Sequence, residues 1–161
     1  MQKVDLICIG KLNAPYFAAG VAEYQKRLGN LCEFRIIELP EETISEKNAS
    51  AAVIEKALEK EAKAILSNLR KGSALIALCV EGKLISSEDL AADLANRAVS
   101  GAGDVTFVIG SSHGLSPTIK KMASAKISLG RITLPHQLAR LVLTEQIYRA
   151  FAINQHIKYH K

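Results

Sequence analysis

The 161-residue sequence has no tryptophan, four phenylalanines and four tyrosines, so a platform that stacks successive single-stranded bases is not expected. Its three cysteines, Cys8, Cys32 and Cys79, lack C-x-x-C spacing. Neither a disulfide framework nor a cysteine metal site is therefore predicted. No apolar run is long enough to span a bilayer and the amino terminus shows no signal-peptide pattern, which predicts a cytoplasmic protein without membrane association.

Charge is distributed unevenly along the chain. From Ser116 onward there are eight Lys or Arg and one acid, Glu145, so this segment carries 8 − 1 = +7, whereas the first 115 residues carry 13 − 15 = −2. Clustered basic residues favour a polyanionic partner, although a solvated basic face gives the same pattern. The candidate phosphate contacts are Lys120, Lys121, Lys126, Arg131 and Arg140.

Strand and helix patterns alternate. Apolar runs predict strands at 4–9, 34–39, 74–80, 104–109 and 127–129. Periodicity and capping residues predict helices at 15–28, 51–70, after the Ser86–Asp89 capping box, from Pro117, and at 137–153. This alternation predicts one α/β domain over 1–161, with a mainly parallel sheet and helices on both faces. The last helix is apolar nearly all round, so it is either buried within the monomer or also meets a second subunit.

Ligands of open parallel sheets bind beyond the carboxyl ends of the strands, where loops here follow Val80, Ile109 and Leu129. The turn Gly110–Gly114 allows close backbone approach to a ligand, but it is neither a dinucleotide fingerprint nor a P-loop. It also fits a tight connection without a ligand. Because it matches G-x-S-x-G, a serine esterase with Ser112 as nucleophile is an alternative, with Glu145 and His156 or His160 as partners. No metal-ligand spacing is present, and no metal is expected.

Four segments in order, Phe107–Leu115, Ile132–Gln137, Glu145–Phe151 and Tyr159–Lys161, resemble the ribosomal RNA large subunit methyltransferase H family. The resemblance covers essentially the whole chain. It implies a SPOUT-type α/β fold that works as a homodimer, with a deep trefoil knot in about 74–161. It further implies methylation of N3 of a pseudouridine in bacterial 23S ribosomal RNA, on the assembled ribosome, with S-adenosylmethionine as donor. A non-catalytic RNA-binding module is the remaining alternative.

The resemblance also implies site residues. Those for the methyl donor are Leu78, Gly110, Leu129, Gly130, Arg131, Ile132, Thr133 and Leu134. For the implied reaction we expect Arg149 to stabilise the negative imide or a phosphate, and Glu145 to orient it. Tyr159 and His160 are expected to close over the target nucleotide, with His160 as the proton acceptor. In a dimer, the tail of one subunit would complete the site of the other.

One position departs from the family pattern. Relatives carry two glycines at the start of the turn, whereas this chain has Gly110-Ser111. If the second position requires a positive φ, the serine is strained by on the order of 1 kcal/mol.

Overall fold

The computed structural model describes residues 1–161, which form five strands and five α-helices. The strands are β1 (Lys3–Ile9), β2 (Glu33–Leu39), β3 (Ala74–Leu84), β4 (Val105–Ile109) and β5 (Ala125–Ser128). The helices are α1 (Pro15–Leu28), α2 (Ala51–Asn68), α3 (Ser87–Val99), α4 (Pro117–Met122) and α5 (His136–Asn154), with a 3-10 turn at Glu46–Asn48. Every predicted element is present, and only the end of β3 differs from its prediction by more than two residues.

Local hydrogen bonds explain where α3 and α4 begin. Ser86 Oγ accepts the backbone N–H of Asp89 at 3.0 Å, and Asp89 Oδ2 accepts the backbone N–H of Ser86 at 2.9 Å, which completes the predicted capping box. Ser116 caps α4 by accepting the backbone N–H of Ile119 at 3.2 Å, and Pro117 follows as the first helical residue.

All five strands are parallel, in the order β2-β1-β4-β3-β5. Alternating residues of each strand point to opposite faces. Leu6 and Phe107 join one apolar cluster with residues of α1, α3 and α5, whereas Ile7 and Val108 join another with residues of α2 and α4. The predicted parallel α/β fold with helices on both faces is confirmed. The trefoil knot stays a prediction.

Helix α5 is mostly enclosed by its own monomer. Its buried residues are Ala139, Arg140, Leu143, Thr144, Ile147, Tyr148, Ala150, Phe151 and Ala152. They pack with α1, α3 and the sheet, and α1 approaches so closely that a Cβ on Gly20 would lie 2.9 Å from Leu141. Burial within the monomer therefore accounts for most of the apolar pattern. Leu138, Leu141 and Val142 are half-buried, so part of their apolar surface is exposed. No helix combines the length and apolar composition needed to cross a bilayer.

One carboxylate is wholly buried in the sheet. Asp5, in β1, accepts hydrogen bonds from Arg35 at 3.1 and 2.7 Å and from Arg70 at 3.3 and 3.0 Å. Burial acts to raise the pKa of Asp5, but hydrogen bonds and charge from the two guanidiniums outweigh it and hold that pKa below its usual value. The contact joins β1 to β2 and to the segment that precedes β3.

We expect Asp5→Asn to lower the free energy of unfolding by about 3 kcal/mol at pH 7, because two guanidiniums lose a buried charged partner. The folded pKa lies below the unfolded one. The advantage of the wild type is therefore complete above about pH 5, and it shrinks as the pH falls below about 4. Urea unfolding of both proteins at pH 7 and pH 3 measures this.

The control is Asp93→Asn, which breaks the more exposed i,i+4 pair with Arg97. That change should lower the free energy of unfolding by less than about 1 kcal/mol. An equal loss from Asp5→Asn at both pH values would contradict the assigned ion pairs.

Candidate active site

Three neighbouring strands border one cavity of about 390 Å³. It is lined by a stretch within β3, by the ends of β4 and β5 with the loops that follow them, and by Lys120, His136 and Ala139. The lining segments are Leu78–Glu81, Ile109–Leu115, Ser128–Gly130 and Ile132–Leu134. The volume is typical of a small-molecule site, and the position is the carboxyl edge that the sequence predicts.

One wall is made by β3, which continues to Leu84 rather than ending at Val80 as predicted. It pairs with β5 in two stretches separated by a register shift between Leu78 and Lys83. The residues between them include Cys79, Val80 and Glu81, which line the cavity. A Cβ on Gly82 would lie 2.6 Å from the backbone of Ile127, so the shift depends on a glycine there.

The turn after β4 is tight. A Cβ on Gly110 would lie 2.3 Å from the carbonyl oxygen of Gly114, so no side chain fits at residue 110. The positive φ of the turn falls on Gly114, at 86°, and Ser111 does not have one. Ser111 is buried in an ordinary backbone conformation, so the strain considered for this departure from the family pattern does not arise.

The loop after β5 presents backbone donors. The N–H groups of Ile132, Thr133 and Leu134 donate to no group of the chain. Gly130 has a φ of 144°, and both its N–H and its carbonyl contact the hydroxyl of Ser128, at 3.3 and 2.9 Å. The loop is therefore held at its start while its later N–H groups stay free to bind a ligand.

Seven of the eight residues expected for the methyl donor line this cavity, namely Leu78, Gly110, Leu129, Gly130, Ile132, Thr133 and Leu134. Arg131 does not line it, and its side chain is exposed. Cys79, Glu81 and His136 also line it, and sequence reasoning missed all three. Glu81 was detectable only as a polar residue just past a strand end.

The four expected catalytic residues form one cluster at the other end of α5. Arg149 donates to Glu145 Oε1 at 2.6 and 3.0 Å, and Tyr159 donates to the same oxygen at 2.9 Å. The central carbon of the Arg149 guanidinium lies 4.7 Å from the centre of the Tyr159 ring. Nδ1 of His160 lies 3.2 Å from Nη1 of Arg149. The cluster thus centres on the guanidinium of Arg149.

Two tyrosines and a carboxylate support this cluster. Tyr159 meets the edge of Tyr148 at 4.8 Å between ring centres, and its hydroxyl lies 3.2 Å from that of Tyr24. Nε2 of His160 lies 2.7 Å from Glu88 Oε1, in the first turn of α3. Sequence reasoning missed Tyr24 and Glu88, because both contacts join residues far apart in the chain.

Tyr159 and Arg149, at the centre of the tail cluster, both stay protonated at neutral pH. Burial, followed by the hydrogen bonds with Tyr24 and Glu145, raises the pKa of the Tyr159 phenol. The hydrogen bond to Glu145 raises the pKa of the Arg149 guanidinium above its ordinary value. Tyr159 is therefore a donor and Arg149 a cation at neutral pH. Neither is poised to accept a proton.

The tail cluster and the cavity are separate within one chain. None of Glu145, Arg149, Tyr159 and His160 lines the cavity. Arg149 follows the cavity residue His136 by 13 positions on α5, which corresponds to about 20 Å along a helix axis. A single chain therefore does not bring the expected catalytic residues to the expected donor site.

Two of the basic residues that were expected to contact phosphate pair with carboxylates of the chain instead. Arg140 is buried, donates to Gly10 O at 2.9 Å and pairs with Glu38 at 2.5 Å, so it is a structural residue. Lys120 pairs with Glu81 at 2.6 Å beside the cavity. Lys121, Lys126 and Arg131 are exposed and stay candidates.

The esterase interpretation of Ser112 does not fit the site. Its hydroxyl donates to Glu41 Oε1 at 3.2 Å, so its hydrogen-bond partner is a carboxylate rather than an imidazole. The expected partners Glu145 and His160 belong to the distant tail cluster, and His156 is exposed just after α5. The partners expected for a serine esterase are therefore not assembled around Ser112.

Comparison with known proteins agrees with this geometry. Residues 2–160 match the family described as "Predicted SPOUT methyltransferase". The chain belongs to the SPOUT methyltransferase family. A curated relative from Streptococcus uberis, named ribosomal RNA large subunit methyltransferase H, is 51% identical over 99% of this chain and 100% of the relative. A relative of the same name from Ligilactobacillus salivarius is 49% identical with the same coverage. The resemblance identified from the sequence is confirmed.

A solved structure shares the fold. It is titled "The structure of a probable methylase family protein from Haemophilus influenzae Rd KW20", and it aligns with a TM-score of 0.51 at 15% identity. The alignment covers 99% of this chain and 70% of that chain. At this identity the similarity shows a shared α/β fold.

We expect Gly110→Ala to lower the free energy of unfolding by about 3 kcal/mol, because the added methyl overlaps backbone that has little room to move. Gly72→Ala is the control. Residue 72 has a φ of 78° and nothing within 4 Å of its Cβ position, so only backbone strain of about 1 kcal/mol applies there. Chemical denaturation compares the two variants. Equal costs would mean that residues 110 and 114 do not approach each other in solution.

Proposed function

We propose that this protein transfers a methyl group from S-adenosylmethionine to N3 of a pseudouridine in bacterial large-subunit ribosomal RNA, on the assembled ribosome. The observation that supports this most strongly is the 51% identity, over the full length, to a relative named for methylation of that RNA. A donor-sized cavity at the carboxyl ends of three parallel strands agrees with it. A ribosomal substrate in turn implies that the protein works in the cytoplasm.

The cavity residues fit S-adenosylmethionine. Leu78, Leu129 and Leu134 offer apolar surface for an adenine ring, and the free N–H groups of residues 132–134 offer donors for its polar atoms. The tight turn at Gly110 brings backbone to the cavity where any side chain would fill space. When bound, the donor supplies an electrophilic methyl group on a positively charged sulfur. We assign Arg131 to contact with RNA phosphate rather than with the donor.

The tail cluster supplies the electrostatics of the proposed reaction. A ring imide nitrogen must lose its proton before it can attack a methyl group, and negative charge then develops on the ring. Arg149 is suited to stabilise this charge, because Glu145 and Tyr159 hold its guanidinium in one orientation. His160 has no free lone pair in this arrangement, so it can take a proton only after it leaves Arg149.

A homodimer would unite the two halves of the site. The cavity and the tail cluster lie about 20 Å apart along α5 of one chain. We therefore propose that the tail of one subunit reaches the cavity of its partner. Leu138, Leu141 and Val142 on α5, with the exposed Ile132 at the cavity, offer apolar surface for the contact. We further propose that the chain is a single SPOUT domain whose segment of about 74–161 is knotted.

The direct test is incubation with labelled S-adenosylmethionine and ribosomes, followed by mapping of the labelled nucleotide. We expect Arg149→Lys to lower kcat by about 100-fold or more, because lysine keeps the charge but loses the paired contact with Glu145. Its KM for the donor should be little changed, since Arg149 does not line the cavity.

Two controls accompany this test. Arg97→Lys makes the same change in an i,i+4 pair on α3 and should keep wild-type turnover. Loss of an ester-hydrolysing activity in Ser112→Ala would favour the esterase. Binding to ribosomal RNA without label transfer would identify an RNA-binding module instead.

A mixed dimer tests the composite site. Co-expressed Gly110→Ala and Arg149→Ala chains, each inactive alone, should give about a quarter of the wild-type activity, because half of the dimers then contain one intact site out of two. Mixing Arg149→Ala with Glu145→Ala should give no recovery, since both changes lie in the tail cluster. Absence of recovery in the first mixture, with mixed dimers shown by two affinity tags, would place the whole site within one chain.

A further inference from the structure

His160 is held between two elements. Its Nδ1 lies 3.2 Å from Nη1 of Arg149 on α5, and its Nε2 lies 2.7 Å from Oε1 of Glu88 at the start of α3. Glu88 precedes His160 by 72 residues, and no motif of the sequence points to it. The capping box of Ser86 and Asp89 explains why it sits there, because that box begins α3 just before Glu88.

The chemistry of the partners determines which ring nitrogen carries the proton. A guanidinium has donors but no acceptor, so Nδ1 must present its lone pair to Arg149. The proton of the neutral ring is then on Nε2, where it is donated to Glu88. Glu88 is suited to accept it as a carboxylate, since its own backbone N–H and then His160 lower its pKa. A doubly protonated ring would instead set an N–H of Nδ1 against the guanidinium.

We propose that Glu88 is a positioning residue for Arg149 and acts on it through His160. Glu88 holds the Nε2–H of the imidazole, which aims the Nδ1 lone pair at Nη1 of Arg149. The opposite side of the guanidinium is held by Glu145, at 2.6 and 3.0 Å. Arg149 is therefore fixed from two sides, by a carboxylate directly and by a second carboxylate through a ring. The consequence for turnover rests on the proposed function, whereas the hydrogen-bonded chain does not.

Nuclear magnetic resonance tests the chain without any substrate. The tautomer of His160 with its proton on Nε2 should give a distinct ring nitrogen signal in the wild type, assigned by its loss in His160→Asn. Glu88→Gln keeps an oxygen acceptor at the same reach and should retain the signal, whereas Glu88→Leu should lose it. Glu88→Leu should also shift the Nε–H signal of Arg149. Unchanged His160 and Arg149 signals in Glu88→Leu would overturn the proposal.

The matched control is Glu55→Leu, which removes an exposed carboxylate on α2 that makes no hydrogen bond or ion pair. Both signals should persist there. Their loss in this variant would mean that general destabilisation, rather than the contact with Glu88, controls them. Thermal unfolding of all variants separates these outcomes.

Kinetics test the consequence for the reaction. Glu88→Leu should lower kcat by about 10-fold or more with little change in either KM, and Glu88→Gln should recover most of the loss. His160→Asn, whose amide oxygen can still accept from Arg149, should be more active than His160→Ala. Equal inactivity of these two would favour His160 as the base and overturn the positioning role. An inactive wild type with the expected resonances would refute the proposed function and leave the hydrogen-bonded chain standing.

Discussion

All five strands of the sheet run in the same direction, and helices cover both of its faces. A strand buried on both faces has no side chain free for chemistry, so ligand contacts come from the loops at its ends. Parallel strands place all their carboxyl ends at one edge. The loops after β4 and β5 therefore meet the irregular stretch of β3 after Leu78 at one cavity, although these segments are far apart in sequence. Backbone geometry at Gly110 and Gly82, rather than a side-chain motif, then shapes that cavity.

The second constraint is the length of α5. Its first residue, His136, lies at the cavity, and the cluster around Arg149 lies near its far end. A rigid helix keeps these two ends apart, so no side-chain rotation within one chain can join them. Arg149 nevertheless contacts Glu145, Tyr159 and His160. A surface salt bridge needs only one of these contacts. In the proposed homodimer, a second subunit brings its tail cluster to this cavity.

Much of the fold was predictable because local chemistry determines it. The capping residues Ser86 and Ser116 fix where two helices begin, and apolar runs mark all five strands. The extension of β3 past Val80 was not predictable, because its register shift depends on the backbone of Ile127 in another strand. Periodicity shows that α5 is apolar on several sides, but not that its own monomer covers most of them. The role of Glu88 escaped prediction for the same reason, since it depends on a contact across 72 residues.

Not all of the positive charge from Ser116 onward is available to bind RNA. Of its eight Lys and Arg residues, Arg140, Arg149 and Lys120 are paired with carboxylates, which leaves 8 − 3 = 5 exposed. Lys121, Lys126 and Arg131 belong to the segments around the cavity, whereas Lys158 and Lys161 belong to the tail. A composite site of two subunits, as proposed, would present both groups to one RNA strand.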